Sequence, residues 1–547
     1  MPEASPGPIV HDAEYYILFD QHGDEWKVED GDLDTRLAEL EETHGQKPNI
    51  VHIMWDDMAF GDAGIPALNK IRGFETPETN RMAAEGALFT RYMTEVACTP
   101  SRAACMTGRY AVRSGMYNVA FPIEAAGLAS EEKSIATLLS DAGYKTAFYG
   151  KWHLGDIEES YPFNHGFDET FFMPYNQVLS LWNQVGEGAN AVQGVMKEML
   201  PEDPYELDPS FGPSDWILVM EGEKGGEGRE WGDKSLETYM KVDPTCHQRS
   251  LEFIRRQASE DNPFYVAYWP NMTAFIPNPK KESPARSLLA DGYRQNVDAY
   301  LGLLMDTLQE LGIAENTIVV AHADNGPMVH NAPPGTGFNE TVFRGGKSDY
   351  WEGGTRVAAF AWWPGMIEEG SIIGDMFHEV DLYTTFARLA GASDAVPTDR
   401  IIDGIDQTAL LVNGDTHGRR DYNFVYVGNI LAATVKGRWK RIWVGDHPGL
   451  PGAAFYDLYN DPRESNPALV PYMSTSSSFT RMRKRHEIWK QKYPDRATKH
   501  GAPFTGIENA RPETVALAEP PVDLEALPFD PLEYINWDLP WDGLDGD

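Results

Sequence analysis

Cysteine is scarce in this sequence, and long apolar runs and a signal peptide are missing. The 547 residues include only three cysteines, namely Cys98, Cys105 and Cys246. Three cysteines cannot form the disulfide framework of a small secreted protein. Their number therefore does not distinguish an oxidising from a reducing cellular compartment. No stretch reaches the apolar length of a membrane-spanning helix, and the amino terminus lacks the basic and apolar segments of a signal peptide. We therefore expect a cytoplasmic protein without a membrane partner, or a periplasmic or secreted one if a signal peptide has been removed.

Positive charge is also in short supply. Lysine and arginine number 46 against 84 aspartates and glutamates, which gives a formal net charge of −38. Such a charge repels nucleic acids and anionic membrane surfaces, so we expect neither as a partner. An anionic substrate would have to be bound by a locally positive site inside this negative shell. A hydrophobic content of 42% and an aromatic content of 12% are typical of a folded globular protein.

The pattern along the chain predicts an α/β fold with a large, mostly parallel sheet flanked by helices. Residues 1–46 read as an acidic N-terminal extension that ends in a helix, and residues 47–375 as the main α/β domain. Within that domain, 76–93 reads as helical and 156–247 as a loop-rich insertion. Residues 376–547 read as a smaller α+β subdomain with a short antiparallel sheet, followed by a tail rich in aromatic and acidic residues. That tail makes a homo-oligomer a possible assembly.

Carboxylates follow two of the predicted strands directly. Asp56 and Asp57 end one apolar strand, and Asp324 with Asn325 ends another. Polar groups at strand ends are where open α/β sheets place their ligands. An isolated Asp-Asp pair is better explained as a solvated strand end or a helix N-cap. Because the arrangement recurs, three carboxylates and an amide oxygen become a donor set suited to Ca²⁺ or Mg²⁺.

Two segments offer cations that could face an anion. Lys151 and His153 are two residues apart on a predicted strand, which would place both side chains on one face. Together they would form an anion pocket with a proton donor, although an exposed strand edge explains the pair equally well. Lys347 lies in a glycine-rich loop that would allow close approach of a ligand, and the alternative there is a solvated lysine in a flexible loop.

Cys98 stands before a Thr-Pro-Ser-Arg stretch that predicts the start of a helix. Pro100 suits the first helical turn, so Cys98 would lie near the N-cap, where the helix dipole favours negative charge. Arg102, one turn further on, adds a positive charge. We therefore expect Cys98 to be a reactive thiol. The alternative is a buried small residue, and we assign Cys105 and Cys246 to that class.

These motifs together resemble the type I sulfatases. The resemblance runs from about Pro48 to Arg356, and more loosely to residues 455–465. Each motif alone is a weak signal for the family, but five motifs in the family's order are a highly specific one. They are Asp56-Asp57, the Cys98–Arg102 stretch with Met106-Thr107-Gly108, the 143–146 and 150–153 pair, Asp324-Asn325-Gly326, and Lys347 with Glu352-Gly353-Gly354.

The resemblance implies an alkaline-phosphatase-like fold and the hydrolysis of a small-molecule sulfate ester, such as an aryl sulfate. It also implies that a separate formylglycine-generating enzyme oxidises Cys98 to formylglycine. In the family, one hydroxyl of the hydrated aldehyde attacks sulfur and releases the alcohol. The second hydroxyl then expels sulfate and restores the aldehyde.

The resemblance also assigns roles to individual residues. Arg102 and Lys151 would hold the formylglycine and the charge on the metal side. His153 would assist breakdown of the sulfated intermediate, and Lys347 would bind the sulfate. Calcium, rather than magnesium, is the expected metal, and its expected ligands are Asp56, Asp57, Asp324, Asn325 and residue 98.

One family feature is missing from the sequence. A histidine that contacts the sulfate usually follows the central strand, within what is here Ala274–Ile276, but residues 269–279 contain none. His247 and His330 could substitute, although each is more readily explained as a structural or surface histidine. One alternative is therefore a catalytically impaired variant or a silent binding protein. Another is a phosphodiester or phosphonate monoester hydrolase of the same superfamily, although Asp324-Asn325 favours sulfate over the Asp-His pattern of those enzymes.

Overall fold

A computed structural model describes most of the chain. The described residues are 8–72, 75–120, 127–175, 218–271, 298–327, 342–414, 418–444, 454–468 and 472–495. The aromatic and acidic tail, His330 and the Ala274–Ile276 stretch lie outside these ranges. The predictions made for them are therefore not addressed by the structure.

Fifteen strands are found in the described part of the chain. They are β1 (Asn49–Trp55), β2 (Ala87–Met93), β3 (Lys145–Lys151), β4 (Glu169–Met173), β5 (Met220–Glu223), β6 (Arg229–Glu230), β7 (Phe264–Trp269), β8 (Thr317–Ala323), β9 (Arg356–Trp362), β10 (Ser371–Ile373), β11 (Phe377–His378), β12 (Tyr422–Val427), β13 (Ile430–Lys436), β14 (Trp439–Ile442) and β15 (Ala454–Asp457).

The helices flank these strands. They are α1 (Ala13–His44), α2 (Pro66–Arg72), α3 (Pro77–Glu85), α4 (Cys98–Thr107), α5 (Ala111–Ser114), α6 (Ile135–Asp141), α7 (Leu236–Gln257), α8 (Ala299–Glu310), α9 (Glu352–Thr355), α10 (Asp381–Leu389), α11 (Thr408–Asn413) and α12 (Tyr472–Lys492), with short 3-10 turns at Glu158–Ser160, Pro162–Asn164, Ala314–Asn316 and Ser393–Ala395.

The large sheet confirms the predicted α/β class. Within the described residues its order is β10-β2-β9-β8-β1-β7-β3-β4-β5-β6, and β11 also pairs with β2. Its centre is parallel: β1 pairs in parallel with both β7 and β8, and β3 with both β4 and β7. Every residue of β1, β7 and β8 is buried, because helices cover both faces of the sheet. The centre of the sheet therefore brings the carboxyl ends of its parallel strands to one edge.

A second, smaller sheet confirms the predicted antiparallel unit near the C-terminus. Strands β12 to β15 pair in sequence order, each antiparallel to the next. The main core nevertheless continues past residue 375, where the sequence pattern placed the boundary. Strand β11 pairs with β2 of the large sheet, and Leu382 of α10 belongs to the main hydrophobic core.

Three segments carry more or different regular structure than the sequence pattern predicts. Helix α1 spans 32 residues and buries Leu33 in the main core, whereas only the end of 1–46 reads as helical. The predicted helix over 76–93 is wrong in its second half, because α3 ends before Gly86 and β2 follows. The described ends of 156–247 contribute β4, β5 and β6 to the large sheet, as well as the start of α7.

Among the described residues, no helix combines the length and apolar character that crossing a bilayer requires. The cellular compartment stays a prediction.

Candidate active site

The predicted site residues follow three strands of the large sheet at the same edge. Trp55 and Ala323 are register partners at the ends of β1 and β8, so the residues that follow them begin side by side. Lys151 is the last residue of β3, which is separated from β1 only by β7. The parallel topology therefore brings the carboxylates and a lysine to one place.

Asp57 has a backbone conformation that turns its carboxylate toward its neighbours. Its φ of 55° lies in the left-handed region, which non-glycine residues seldom adopt. The Asp57 N–H donates a hydrogen bond of 3.0 Å to Asp324 Oδ1. The Asn325 side-chain amide donates to Asp57 Oδ1 at 2.7 Å. The turn after β1 is thus held by the residues that follow β8.

Cys98 is the first residue of α4 and is fully buried. Its Sγ lies 3.5 Å from Asp56 Oδ1 and 3.7 Å from Asp57 Oδ1. The Lys347 ammonium donates to Cys98 Sγ at 2.8 Å. Burial nevertheless raises the pKa of the Cys98 thiol, outweighing the neighbouring lysines. Burial beside carboxylates therefore opposes the charge that the helix start favours, and the reactivity of Cys98 stays a prediction.

Arg102 joins α4 to the sheet edge. Its Nε and Nη2 donate to Asp324 Oδ2 at 3.2 and 2.8 Å, and its Nη1 donates to the Lys151 carbonyl oxygen at 2.7 Å. Its guanidinium also lies 5.1 Å from the ring centroid of Trp269, at the end of β7. Arg102 is fully buried, so these contacts fix its position one turn below Cys98.

The carboxylates are paired with lysines as well. Lys151 Nζ donates to Asp56, and Lys347 Nζ donates to both carboxylate oxygens of Asp57 at 2.7 and 2.9 Å. Burial opposes ionisation of Asp56, but Lys151, Lys347 and Arg102 together hold its pKa well below the usual range. Burial likewise opposes the charge on Lys347, yet Asp57 and the neighbouring acids raise its pKa well above normal. Asp56 and Lys347 are therefore charged at neutral pH.

His153 does not lie on a strand face with Lys151, so that expectation is wrong. Strand β3 ends at Lys151, and His153 has a left-handed φ of 57°. Its Nε2 lies 2.9 Å from the carbonyl oxygen of Ala120, which can only accept a hydrogen bond. Nε2 therefore carries the proton, while the buried Nδ1 has no partner among the described residues. Burial, reinforced by Lys151, holds the pKa of His153 well below normal, so the ring is neutral.

Four side chains at this edge have donor atoms that could bind one metal ion. One donor atom each from Asp56, Asp57, Cys98 and Asp324 lies within 4.8 Å of the others. Asn325 adds an amide oxygen, Oδ1, that is buried without a hydrogen-bond partner among the described residues. Such an orphaned oxygen beside three carboxylates fits a hard cation such as Ca²⁺.

Two residues around the site were not identified from the sequence. Trp269 supports the Arg102 guanidinium, and the only signal for it is an aromatic residue at the end of an apolar strand. Thr99 donates from Oγ1 to the His153 carbonyl oxygen at 2.9 Å and accepts from the Ala120 N–H at 3.0 Å. Thr99 lies inside the Cys98 motif, so that motif could have suggested it.

His247 does not reach this group. It lies on α7 with its ring stacked on Tyr300, at a centroid distance of 4.6 Å, and beside Tyr268 at 5.4 Å. Burial lowers the pKa of His247 to about 4. These contacts fit a structural histidine.

Comparison with known proteins gives one consistent group of relatives. The sequence profile of the family described as Sulfatase matches residues 48–392, a range that contains every site residue described above. The chain is 34% identical to N-acetylgalactosamine-6-sulfatase of Canis lupus familiaris over 421 residues, covering 72% of this chain and 71% of the relative. It is 29% identical to steryl-sulfatase of Rattus norvegicus over 500 residues, covering 77% and 85%. The solved PsFucS1 sulfatase from Pseudoalteromonas sp. is similar with a TM-score of 0.72 at 28% identity, covering 87% of this chain and 96% of that one.

Proposed function

The chain belongs to the sulfatase family and is a sulfuric-ester hydrolase, and from this premise we propose that formylglycine derived from Cys98 is its nucleophile, beside a bound divalent cation. One observation carries the proposal. Four side chains with donor atoms for a metal ion, one of them residue 98, lie together with three buried or nearly buried cationic side chains, namely Arg102, Lys151 and Lys347. A thiolate nucleophile is disfavoured by burial of Cys98. An oxygen nucleophile at the same position agrees better with these surroundings.

Ca²⁺ is the cation we propose for this site. When bound, it would make a hydroxyl on residue 98 more nucleophilic and offset negative charge at the reacting sulfate. Asp56, Asp57, Asp324 and Asn325 would hold it through oxygen atoms, which suit a hard cation. The three carboxylates are matched in charge by Arg102, Lys151 and Lys347. A divalent cation would therefore make the site positive and favour an anionic ester, despite the acidic surface of the protein.

The two lysines differ in their access to a substrate. The Lys151 side chain is fully buried, whereas the Lys347 side chain retains 14% of its exposure. Lys347 is therefore the cation on the open side of the site, and we assign it to the sulfate oxygens. Lys151 and Arg102 hold Asp56 and Asp324 in place, and they stabilise charge on the inner side of the site.

His153 supplies a base. Its Nε2 proton is held by the Ala120 carbonyl oxygen, so Nδ1 has a free lone pair in the neutral ring. Thr99 follows residue 98 directly and donates to the His153 backbone carbonyl oxygen, which ties the segment that carries His153 to the start of α4. We propose that Nδ1 accepts a proton from the hydroxyl of residue 98 that remains after sulfate transfer.

Organic sulfate monoesters are the proposed substrate class. The relatives include an N-acetylgalactosamine-6-sulfatase and a steryl-sulfatase. A substrate panel should therefore contain an aryl sulfate, a sugar 6-sulfate and a steroid sulfate. It should also contain an aryl phosphonate, because the same superfamily fold supports phosphonate hydrolysis. Faster cleavage of the phosphonate than of every sulfate would contradict the assignment.

The nucleophile is tested by mass spectrometry of the peptide that contains residue 98. The protein is produced with and without a co-expressed formylglycine-generating enzyme, and sulfatase activity is measured on the same samples. We expect activity to rise in proportion to the fraction of Cys98 converted to the aldehyde. Cys98→Ala should abolish activity, whereas Cys246→Ala, at another buried free cysteine, should retain it. Full activity in unconverted protein would refute the proposal.

The missing leaving-group histidine has a separate test. Histidine is introduced in turn at Ala274, Phe275 and Ile276 in the converted protein. A rise in kcat for an unactivated alkyl sulfate, with little change for an activated aryl sulfate, identifies the position that protonates the leaving group. If none of the three variants raises kcat, the enzyme does not lack this function.

A further inference from the structure

Helix α4 carries a second cysteine toward the sheet, beneath the active site. Cys98, Arg102 and Cys105 follow each other at the spacing that places residues on one face of a helix. The first two belong to the active site. Cys105, two turns further along, meets His52 on β1 and His322 on β8. The same three elements that build the active site therefore also build a deeper cluster.

The three side chains of this cluster converge. His52 Nε2 and His322 Nε2 are 2.8 Å apart, and Cys105 Sγ is 4.0 Å from His52 Nε2. All three donor atoms lie within 4.8 Å of one another, and all three residues are fully buried. The register explains the meeting of the histidines, because His52 pairs with Val320 and Met54 with His322. The two histidines are thus diagonal neighbours on one face of the sheet.

The outer nitrogen of each ring has a partner of its own, so a metal ion would use the two inner nitrogens, which now share a hydrogen bond with each other. His322 Nδ1 lies 2.8 Å from the Ala323 carbonyl oxygen, which can only accept, so Nδ1 carries the proton and Nε2 has a lone pair. His52 Nδ1 lies 3.3 Å from the Tyr265 hydroxyl. Metal-binding histidines are commonly oriented by such contacts from the opposite ring nitrogen.

Two buried polar groups beside the cluster have no hydrogen-bond partner among the described residues, namely the Tyr92 hydroxyl and the indole nitrogen of Trp269. The Tyr92 ring centroid lies 4.8 Å from that of His322, and the Trp269 ring centroid lies 5.7 Å from that of His52. Such groups fit a site that accommodates an additional species, such as an ion or a water molecule.

We propose that His52, Cys105 and His322 form a second metal site, which binds a thiophilic cation of the class of Zn²⁺ or Cu⁺. Imidazole and thiolate are the ligands that these ions prefer, whereas the oxygen donors of the active site suit Ca²⁺. Binding displaces the Cys105 thiol proton, and the thiolate offsets the positive charge of the ion near Arg102. Ligand bonds of about 2.0–2.3 Å require the two histidine nitrogens to separate by a few tenths of an ångström.

The ion would bind α4 to β1 and β8 and stabilise the helix that carries the nucleophile. All three ligands are fully buried, so a substrate has no access to the ion and its role is structural. This proposal does not depend on the proposed reaction. The competing explanation is a direct hydrogen bond between the two imidazoles, with no metal.

The test measures the metal content of protein purified without a histidine tag, from cells grown with added zinc or added copper. Inductively coupled plasma mass spectrometry should find about one thiophilic ion per chain, retained in EDTA while the protein is folded and released on unfolding. Cys105→Ala should reduce this content to background, whereas Cys246→Ala should not. Asp57→Asn, in the active site, should also leave it unchanged.

Two outcomes would overturn the proposal. One is wild-type protein that contains neither zinc nor copper from either culture, and the other is an equal metal content in Cys105→Ala. If the alanine variant does not fold, X-ray absorption spectroscopy of the wild-type protein decides. Sulfur and nitrogen neighbours around the bound ion support the site, and oxygen neighbours alone refute it.

Discussion

At the residue scale, two backbone conformations form the site. Asp57 and His153 follow the ends of β1 and β3, and both have left-handed φ values, of 55° and 57°. Such conformations cost about 1–3 kcal/mol each and persist where the surroundings fix them, most often at functional sites. Here they turn the Asp57 carboxylate toward Asp324 and place the His153 backbone against Thr99. Motifs at strand ends revealed these residues, but not the conformations that make them converge.

Removal of the Lys347 ammonium should affect catalysis more than stability. Lys347→Ala deletes the cation on the open side of the site, and we expect kcat/KM for a sulfate ester to fall by about 10²–10³-fold. Steady-state kinetics on converted protein measures the change. Lys241→Ala removes an exposed lysine that pairs with Glu237 in its own helix, and it should leave kcat/KM unchanged. Equal kinetics in the two variants would contradict the role of Lys347.

Glu95 gives the protein a pH-dependent stability. This residue is fully buried and accepts the Ala111 N–H at 2.8 Å, and burial raises its pKa from 4.5 to about 8. Between these values the folded chain keeps a proton that the unfolded chain has lost. The stability contributed by protonated Glu95 is thus fully present below the pKa of this residue in the unfolded chain, and it is lost as the pH rises through about 8.

Glu95→Gln should remove this dependence, because the amide stays neutral and can still accept the Ala111 N–H. The free energy of unfolding of the variant, relative to the wild type, should rise between about pH 5 and about pH 8, by at most about 1.4 kcal/mol per pH unit. Urea denaturation at several pH values, followed by tryptophan fluorescence, measures the difference. A difference that does not change with pH would show that Glu95 ionises normally.

At the element scale, α4 organises both the active site and the deeper cluster. Its first residue is Cys98, its second turn holds Arg102, and its third faces His52 and His322 through Cys105. The sequence predicted this helix and its starting point correctly, because Pro100 and the residues around it are a local signal. It assigned Cys105 to simple packing, since the two histidines come from distant strands.

The strand ends show where prediction from the sequence stopped. Strands β1 and β8 were recognised because their apolar residues form uninterrupted runs before Asp56 and Asp324. The end of β3 was placed too late, since alternation alone cannot detect that the chain turns after Lys151. Strand β2 was predicted to be helical because the sequence pattern of α3 continues into it. Its pairing with β9, which the sequence pattern does not reveal, makes it a strand.

Close contact between β3 and β7 gives a test at this scale. Gly150, with a φ of 122°, leaves no room for a side chain, because a Cβ would lie 1.8 Å from the Trp269 carbonyl oxygen. Gly150→Ala must therefore separate the two strands beside Lys151. We expect a loss of stability well above the roughly 1–3 kcal/mol of an unfavourable φ alone, together with loss of activity.

Gly143 provides the matched control. It also has a positive φ, of 94°, but a Cβ there would meet no atom within 4 Å. Gly143→Ala should therefore show only the cost of the backbone conformation and keep its activity. The comparison uses chemical denaturation and sulfatase kinetics on both variants. Similar stability of the two would mean that β3 and β7 can separate without consequence.

At the scale of the whole molecule, the two ends of the described chain meet at α5, the helix that follows α4. Asp12, which precedes α1, accepts from Arg113 of α5 at 2.8 Å and lies 2.7 Å from His486 of α12. Arg113 also donates to both carboxylate oxygens of Asp403, at 2.7 and 2.8 Å. Burial opposes the charge on Asp12, but His486 and Arg113 hold its pKa well below normal. Segments far apart in sequence, including both ends, are therefore joined by buried charges next to α4.

Removal of Arg113 should destabilise the whole molecule. Arg113→Ala deprives two buried carboxylates, Asp12 and Asp403, of a charged partner, and removal of one partner of a buried ion pair typically costs about 3–5 kcal/mol. Arg81→Ala is the control, because Arg81 is 27% exposed and its pairs with Glu85 and Asp306 lie at the surface. Surface pairs contribute about 0–1 kcal/mol, so the control should unfold close to the wild-type midpoint.

Two causes can lower the stability of Arg113→Ala, namely unpaired buried charge and the cavity left by the side chain. Arg113→Lys separates these causes, because lysine keeps the charge but loses the two-pronged contact with Asp403. We expect its unfolding midpoint to lie between those of the wild type and Arg113→Ala. Low pH should then reduce the difference between wild type and Arg113→Ala, since Arg113 helps to hold the pKa of Asp12 below normal and this stabilisation is lost as Asp12 becomes protonated. A difference that stays constant from neutral to acidic pH would assign the effect to packing instead.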